Sequence, residues 1–538
     1  MTGNEILARA LRQQGIRDVF FLMGGPMIDC ESCCQEQGMR MIDVRMEQAA
    51  AMMADAYARL GPRPGVCMAA SGPGTVNLLS GVTNAFVNGA PVLAIGGSSP
   101  VGQLGWGAFQ EIDQLALARP VTKWAERCYD GRRLPELVAT AIRHARGGRP
   151  GPVYLDVPGD VLYREVATED MRWAQTVPSP SRPAGAPQDV DRGLRVLAGC
   201  ERPVVVFGSG VLWSDAHVEL RQFVERAGIP FYATPLGRGV IEEDHRLSFP
   251  SARSTAFREA DCIVVVGTRL NYVIGYARPP RFAAEAKLIQ IDIDSDEIGS
   301  SRPVDAAIVG DARVVLGQLA ESLPEEPERF APWVGRLAEI DREKSLDAEQ
   351  RLSTGQQPIH PLRLCREVRD FMDRDAVLSV DGQEILNYGR QSIPICRPGH
   401  SLNSGPFGTM GVGLPYGLGA KAAKPEAQVI VLHGDGSFGI NGLEVDTAVR
   451  HHLPVITVVS NNGGWTARDR PKVGRELGFG RYDEMARAFG CHAELVEDPD
   501  QIRPALERAR ASGAPALVNV VTDPEARATT APFTAYST

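Results

Sequence analysis

Val429-Ile430-Val431-Leu432-His433-Gly434-Asp435-Gly436-Ser437 and, further on, Val455-Ile456-Thr457-Val458-Val459-Ser460-Asn461-Asn462-Gly463-Gly464 share one pattern: an apolar, β-branched run that ends in glycines and oxygen-bearing side chains. Runs of this kind are strands buried on both faces of a parallel sheet. Such open sheets take their ligands beyond the carboxyl ends of the strands. A carboxylate, Asp435, and an amide, Asn462, therefore emerge at one sheet edge. A hard divalent cation wants oxygen ligands and keeps phosphate oxygens among them, so Asp435, the Asn462 side-chain oxygen and a backbone carbonyl such as that of Gly464 would serve it. Gly434 and Gly436, with Ser437 after them, would let a diphosphate approach the backbone and the N-terminus of the following helix.

The same rhythm extends outward in both directions. Helical patterns alternate with strands at Pro91-Val92-Leu93-Ala94-Ile95, Pro152 to Val157, Arg202 to Gly208, Asp261 to Gly267 and Ala376 to Val380, which predicts an α/β protein of three doubly wound domains with parallel sheets. A Pro/Ser/Ala-rich stretch from Val177 to Gln188 reads as a linker, and the polar region Ser322 to Pro358, with its charged helix, marks a second boundary. The expected domains are 1–175, 189–335 and 356–528, followed by a C-terminal tail or lid, 529–538. At 538 residues the chain is long enough for about three cores.

Composition narrows the function classes. With 43% hydrophobic and 23% charged residues, a net charge of -9 and no long basic run, the chain is not patterned for nucleic acid. The polar, helix-patterned N-terminus does not read as a signal peptide and no stretch approaches a membrane span, so a cytoplasmic protein is expected. Ten scattered cysteines fit reduced thiols; Cys30, Cys33 and Cys34 lack the Cys or His pair that would complete a zinc site.

Gly434-Asp435-Gly436 followed by Asn461-Asn462, with 24 residues between, resembles the signature of thiamine diphosphate enzymes. Either tripeptide alone is an ordinary turn. Both together, each after an apolar strand, favour the cofactor strongly. Three further stretches resemble the same family. In Phe407-Gly408-Thr409-Met410-Gly411, the resemblance makes Met410 the apolar wedge that folds the cofactor and the Gly408 carbonyl the acceptor of its amino group. In Val44-Arg45-Met46-Glu47-Gln48, Glu47 would face the pyrimidine N1' and promote the tautomer that removes the thiazolium C2 proton. Ser71-Gly72-Pro73-Gly74-Thr75, with Asn77, resembles a loop of the pyrimidine-binding domain. The order implied is pyrimidine, middle and diphosphate domains, with magnesium as the metal, in a homodimer or homotetramer in which Glu47 and Asp435 serve one site from different subunits.

Within the family, Gly267 to Tyr272, Arg278 to Phe282 and Gly107-Ala108-Phe109-Gln110-Glu111 look more like oxalyl-CoA decarboxylase and 2-hydroxyacyl-CoA lyase than like acetolactate synthase, although acetolactate synthases share part of the last stretch. That resemblance places Arg253 and Arg390 at coenzyme A phosphates, a role that suits the guanidinium fork, and Gln110 at the substrate. Arg269, Asp292 and Asp311 would hold ADP, as in oxalyl-CoA decarboxylase, or FAD, as in acetolactate synthase. Other stretches point elsewhere: Asp381-Gly382-Gln383-Glu384 is closer to acetolactate synthases, with Gln383 on the diphosphate, and Thr122 to Ala125 resembles benzaldehyde lyase. Oxalyl-CoA decarboxylases carry a tyrosine where this chain has Gly464-Trp465-Thr466, and Trp465 suits an uncharged acyl chain. The reading is a 2-hydroxyacyl-CoA lyase releasing formyl-CoA and an aldehyde or ketone, reversibly; the alternative is an acetolactate synthase-type enzyme acting on 2-oxoacids. A non-catalytic relative would lack Glu47 or the metal pair, and a dehydrogenase would open with a glycine fingerprint that this chain does not have.

Overall fold

The computed structural model describes residues 1–169 and 171–528, so the C-terminal segment 529–538 expected as a tail or lid lies outside the described residues. Three parallel sheets follow one another along the chain, as the alternation predicts. The first contains β1 (Asp18–Phe21), β2 (Arg40–Asp43), β3 (Gly65–Ala69), β4 (Val92–Ser98), β5 (Ala125–Arg127) and β6 (Val153–Pro158), in the order β2-β1-β3-β4-β6-β5. The second contains β7 (Pro203–Phe207), β8 (Phe231–Ala233), β9 (Cys262–Val266), β10 (Lys287–Asp292) and β11 (Ala306–Val309), in the order β11-β10-β9-β7-β8. The third contains β12 (Val377–Asp381), β13 (Ser401–Leu402), β14 (Val429–Gly434), β15 (Ile456–Asn461), β16 (His492–Val496) and β17 (Ala516–Val521), in the order β13-β12-β14-β15-β17-β16.

The first and third sheets thus have the same strand order, and in every sheet the order reverses at an interior pair of strands. In the third sheet the reversal lies between β12 and β14, where Asp381 is in register with His433. In the second it lies between β7 and β9, where Phe207 is in register with Val266. A crevice opens at the carboxyl ends of the strands wherever the order reverses, and this is where open α/β sheets bind ligands.

The middle sheet has a core of its own, to which the first turns of the helix Ala331–Leu352 add Trp333 and Leu337; residue 335 therefore falls inside that helix. The first and third sheets share a core instead. It forms where the helix Glu47–Leu60, buried on nearly every side, crosses Gly413–Ala423. Small residues allow the approach: a Cβ at Gly419 would sit 2.3 Å from the Met53 carbonyl oxygen. A buried polar network ties the crossing. Arg59 Nε donates to Asp55 Oδ1 at 2.9 Å, the Tyr416 hydroxyl donates to Asp55 Oδ2 at 2.6 Å, and Asn84 Nδ2 donates to the Tyr416 oxygen at 2.6 Å. Removing one partner of a buried ion pair leaves the other charge uncompensated. Asp55→Ala is therefore expected to cost about 3 kcal/mol of stability, read from the midpoint of urea unfolding, and Asp55→Asn less.

The segment from Ser71 to Thr75 is only partly a loop. Pro73 opens the helix Pro73–Asn88, so Gly74, Thr75 and Asn77 are helical. Proline is pre-organised for a first helical position. Gly72, at φ 57°, supplies the turn before it, and its N–H donates to the buried Gln114 Oε1 at 2.6 Å.

Candidate functional site

β14 and β15 are neighbours, with Gly434 in register with Ser460, so Asp435 and Asn462 leave the sheet side by side. Asp435 opens the short helix Asp435–Asn441 and is 2% exposed. Its Oδ1 accepts from Gly436 N at 2.9 Å, while its Oδ2 is buried without a partner among the described residues. Burial pushes the carboxyl up to about 6, against the backbone N–H groups of Gly436 and Gly464 and the charge of Arg475. A buried carboxylate oxygen left unpaired is costly unless something fills the place beside it. Asn462 commits its amide nitrogen to the Thr466 carbonyl, at 3.0 Å, which turns its oxygen the other way. Ser437 Oγ donates to the Gly434 carbonyl at 3.0 Å and lies 3.1 Å from His433 Nδ1.

These donors fit a hard cation held jointly with a ligand. Among the described residues no three His, Cys, Asp or Glu side chains gather at a metal position. One carboxylate, one amide oxygen and one carbonyl leave the remaining places of an octahedral ion to water and phosphate oxygens, which is the way magnesium is usually held. Gly436 is constrained as well: a Cβ there would sit 2.6 Å from the Trp465 ring. The indole is thus packed on the glycine turn, half-buried, and is not part of the cavity wall described next.

A cavity of about 1630 Å³ lies where the crevices of the second and third sheets meet, and Asp381, Gly382, Gln383, Gly408 and Met410 line one end of it. This end touches the turn that carries Asp435, since a Cβ at Gly382 would be 3.1 Å from Gly434 N. Gly408 turns the chain at φ 75°. Gly413 N donates to Asp381 Oδ2 at 3.0 Å, and burial pushes that carboxyl up to about 6.

Arg253, Arg390, Arg269, Asp292 and Asp311 line the same cavity. Arg253 packs over the Phe257 ring at 5.1 Å, and its Nε is buried without a partner among the described residues. Burial, and then the neighbouring Arg281, lower it to about 10. Arg390 is lowered to about 10 by burial and by Arg238; it donates to Asn403 Oδ1 at 3.1 Å, and its Nε is also unpartnered. Asp292 is pushed up to about 6 by burial. Asp311 is more committed: it caps the helix Ala312–Ser322 and accepts from Ser214 Oγ at 2.9 Å and from Arg182 at 3.3 Å. Arg269 donates to the Val87 carbonyl.

Glu47 and Gln110 come together on the first domain, apart from that cavity wall. Glu47 begins its helix, is 8% exposed, and accepts from Asn77 Nδ2 at 3.1 Å. Across the Gly72 turn, Ser71 Oγ donates to Gln110 Oε1 at 2.8 Å, and Gln110 itself is held at φ 59°. The Glu111 carboxylate, taking the N–H groups of Gly105 and Ala108, closes the loop beneath it.

Two side chains that the sequence did not single out join these parts. Glu444 Oε1 accepts from Arg45 N at 3.1 Å and Met46 N at 3.2 Å, capping the segment that carries Glu47. Asn441 accepts from Gln48 at 2.9 Å and donates to the Gly411 carbonyl at 2.7 Å, tying that helix to the turn after Met410. Neither has a sequence signal, because each acts on a segment about 400 residues away along the chain.

Three models of the thiamine pyrophosphate enzymes match the chain: the N-terminal TPP binding domain over residues 1–117, the central domain over 190–319 and the C-terminal TPP binding domain over 386–520. Among curated proteins, the chain is 36% identical over 537 residues to the acetolactate synthase large subunit of Mycobacterium tuberculosis, covering 97% of this chain and 96% of that one. It is 33% identical to 2-hydroxyacyl-CoA lyase of Arabidopsis thaliana (98% and 96% covered) and 34% identical to oxalyl-CoA decarboxylase of Escherichia coli K12 (97% and 95%). The three differ in the activities they are named for and scarcely in their likeness to this chain.

Proposed function

Because the chain belongs to the thiamine pyrophosphate enzyme family, we propose that it is a magnesium-dependent carbon-carbon lyase acting on 2-hydroxyacyl-CoA, with formyl-CoA and an aldehyde or ketone as products. The observation that carries the choice of substrate is the pair Arg253 and Arg390. Both guanidinium groups line one cavity, half-buried, and each keeps an Nε without a partner among the described residues. Charges drawn partly out of water with incomplete hydrogen bonding favour a bound anion, and coenzyme A phosphates would serve both at once. The cavity is also large for a small acid: pockets for drug-sized ligands run to about 1,000 Å³.

In this reading the bound cofactor supplies a thiazolium carbon at which the bond next to a carbonyl is broken or made. The rest falls to the chain. Asp435, Asn462 and the Gly464 carbonyl hold the cation, with Gly434, Gly436, Ser437 and Gln383 around the diphosphate. Met410 and Gly408 shape the cofactor, and Glu47, steadied by Asn77, holds a proton at the pyrimidine. Gln110 faces the substrate, and Arg269, Asp292 and Asp311 hold a structural ADP or FAD, while Trp465, packed on the Gly436 turn and off the cavity wall, is given no part in the acyl pocket. A second copy of the chain completes the site. Trp106 and Phe109, 81% and 86% exposed beside Gln110, are apolar surface that such a partner would cover.

A second reading, an acetolactate synthase-type enzyme using 2-oxoacids, is favoured by Gln383, which lines the cavity within a segment that resembles those enzymes. Turnover of a 2-hydroxyacyl-CoA and of pyruvate by the purified protein decides between them, and product from pyruvate alone overturns the coenzyme A reading. With the coenzyme A substrate, Arg253→Ala is expected to raise KM about 10- to 100-fold, the worth of a hydrogen bond to a charged group. An unchanged KM would remove Arg253 from the substrate site.

A further inference from the structure

We propose that Arg475 is a positioning residue for the divalent cation, holding Asn462 and Gly464 so that their oxygens face it. The inference rests on the reading of Asp435, Asn462 and Gly464 as metal ligands. The Arg475 side chain is 2% exposed and reaches the whole turn that follows β15. Its Nη1 donates to the Gly463 carbonyl at 3.4 Å, and its Nη2 donates to the carbonyls of Asn462 at 3.2 Å and Thr466 at 3.0 Å. A further bond runs from Nη1 to Glu476 Oε2 at 3.1 Å, while Nε is buried without a partner among the described residues.

The Thr466 carbonyl is the pivot, because it also accepts the Asn462 amide nitrogen. That bond decides which end of the amide is left for a cation, and Arg475 keeps the acceptor in place. Thr466 needs such support: its φ is 58°, in the left-handed region that a β-branched residue rarely adopts. Arg475 also lies directly on Gly464. A Cβ at Gly464 would come within 2.1 Å of the Arg475 carbonyl oxygen and 2.8 Å of Nη1, and Trp465 N donates to that same carbonyl at 2.8 Å. One planar fork thus serves three carbonyls at once, which a lysine ammonium on a flexible stem does not reproduce.

Geometry and charge act here with opposite signs. A fixed positive charge near the site disfavours a dication, so loss of the charge alone would tighten the metal. Loss of the brace would loosen it, and residues that orient metal ligands typically contribute about 10- to 100-fold to affinity.

Manganese, followed by its electron paramagnetic resonance signal in the presence of thiamine diphosphate, reads this difference on the full-length protein without turnover. Arg475→Met is expected to weaken manganese binding about 10-fold or more, with uptake restored at saturating metal. Arg475→Lys, which keeps the charge and loses the fork, is expected to weaken it as well, and it decides the matter should the methionine variant fail to fold, as judged by metal-free melting. Binding within twofold of the parent in both variants, or tighter binding in Arg475→Met, overturns the proposal. Asp435→Asn separates the two layers. If it binds manganese like the parent, the metal-site reading itself falls; if it loses the metal while the Arg475 variants keep it, only the role of Arg475 falls.

Discussion

Asp435→Ala protein is expected to lose magnesium-dependent uptake of thiamine diphosphate, with the dissociation constant rising about 100-fold or more. The size follows from what the residue supplies. Asp435 brings a carboxylate to the corner where β14 and β15 end, and its Oδ2 is buried without a partner among the described residues. Quenching of intrinsic fluorescence on cofactor addition, with and without magnesium, measures the effect; uptake that is unchanged in the variant would remove the cation from this corner. The parent protein carries a second signature. Its Asp435 carboxyl is pushed up to about 6 by burial, above the ordinary carboxylate range, so below that pH the metal-free chain holds a proton where the proposed cation would bind. Metal uptake should therefore strengthen as pH rises through about 6 and level off above it, because only the ionised carboxylate is a ligand.

Glu47→Gln is expected to bind the cofactor nearly as well as the parent but to turn over about 100- to 10,000-fold more slowly, the usual contribution of a positioned proton-transfer group. The substitution is nearly isosteric and an amide oxygen still accepts from Asn77, so the local geometry persists while the titrating group is lost. The kinetic split is the check. A fall in kcat at unchanged cofactor affinity marks Glu47 as a proton carrier, whereas full turnover would remove Glu47 from the chemistry. A loss of cofactor affinity with little change in kcat would instead reduce Glu47 to a binding contact.

Legibility differed with the kind of signal. The strands from Val92, Val153, Pro203, Cys262, Val377, Val429 and Ile456 were readable because a strand buried on both faces is a continuous apolar run, and a crossover helix shows its own period. The places of the glycine turn around Asp435 and of the amide after β15 were readable because strand, turn and side chain lie within a few residues of one another. The extent of the loop at Ser71 was less so: Pro73 looks like turn chemistry, but it sits at a first helical position where proline is equally at home.

What the sequence determined by itself, then, is whatever is local in the chain: three parallel sheets, the family, and the side chains at the strand ends. The tertiary structure alone decided how those ends meet. It set the crevices of the second and third sheets against one cavity, so that Arg253 and Arg390 share a wall with Met410. It brought Glu444 to the N–H groups before Glu47, and it laid Arg475 on Gly464. The physical reason is the same in each case. A backbone carbonyl or N–H carries no mark in the sequence of which distant side chain will satisfy it, and the demand that buried polar groups be paired acts only once the chain is packed.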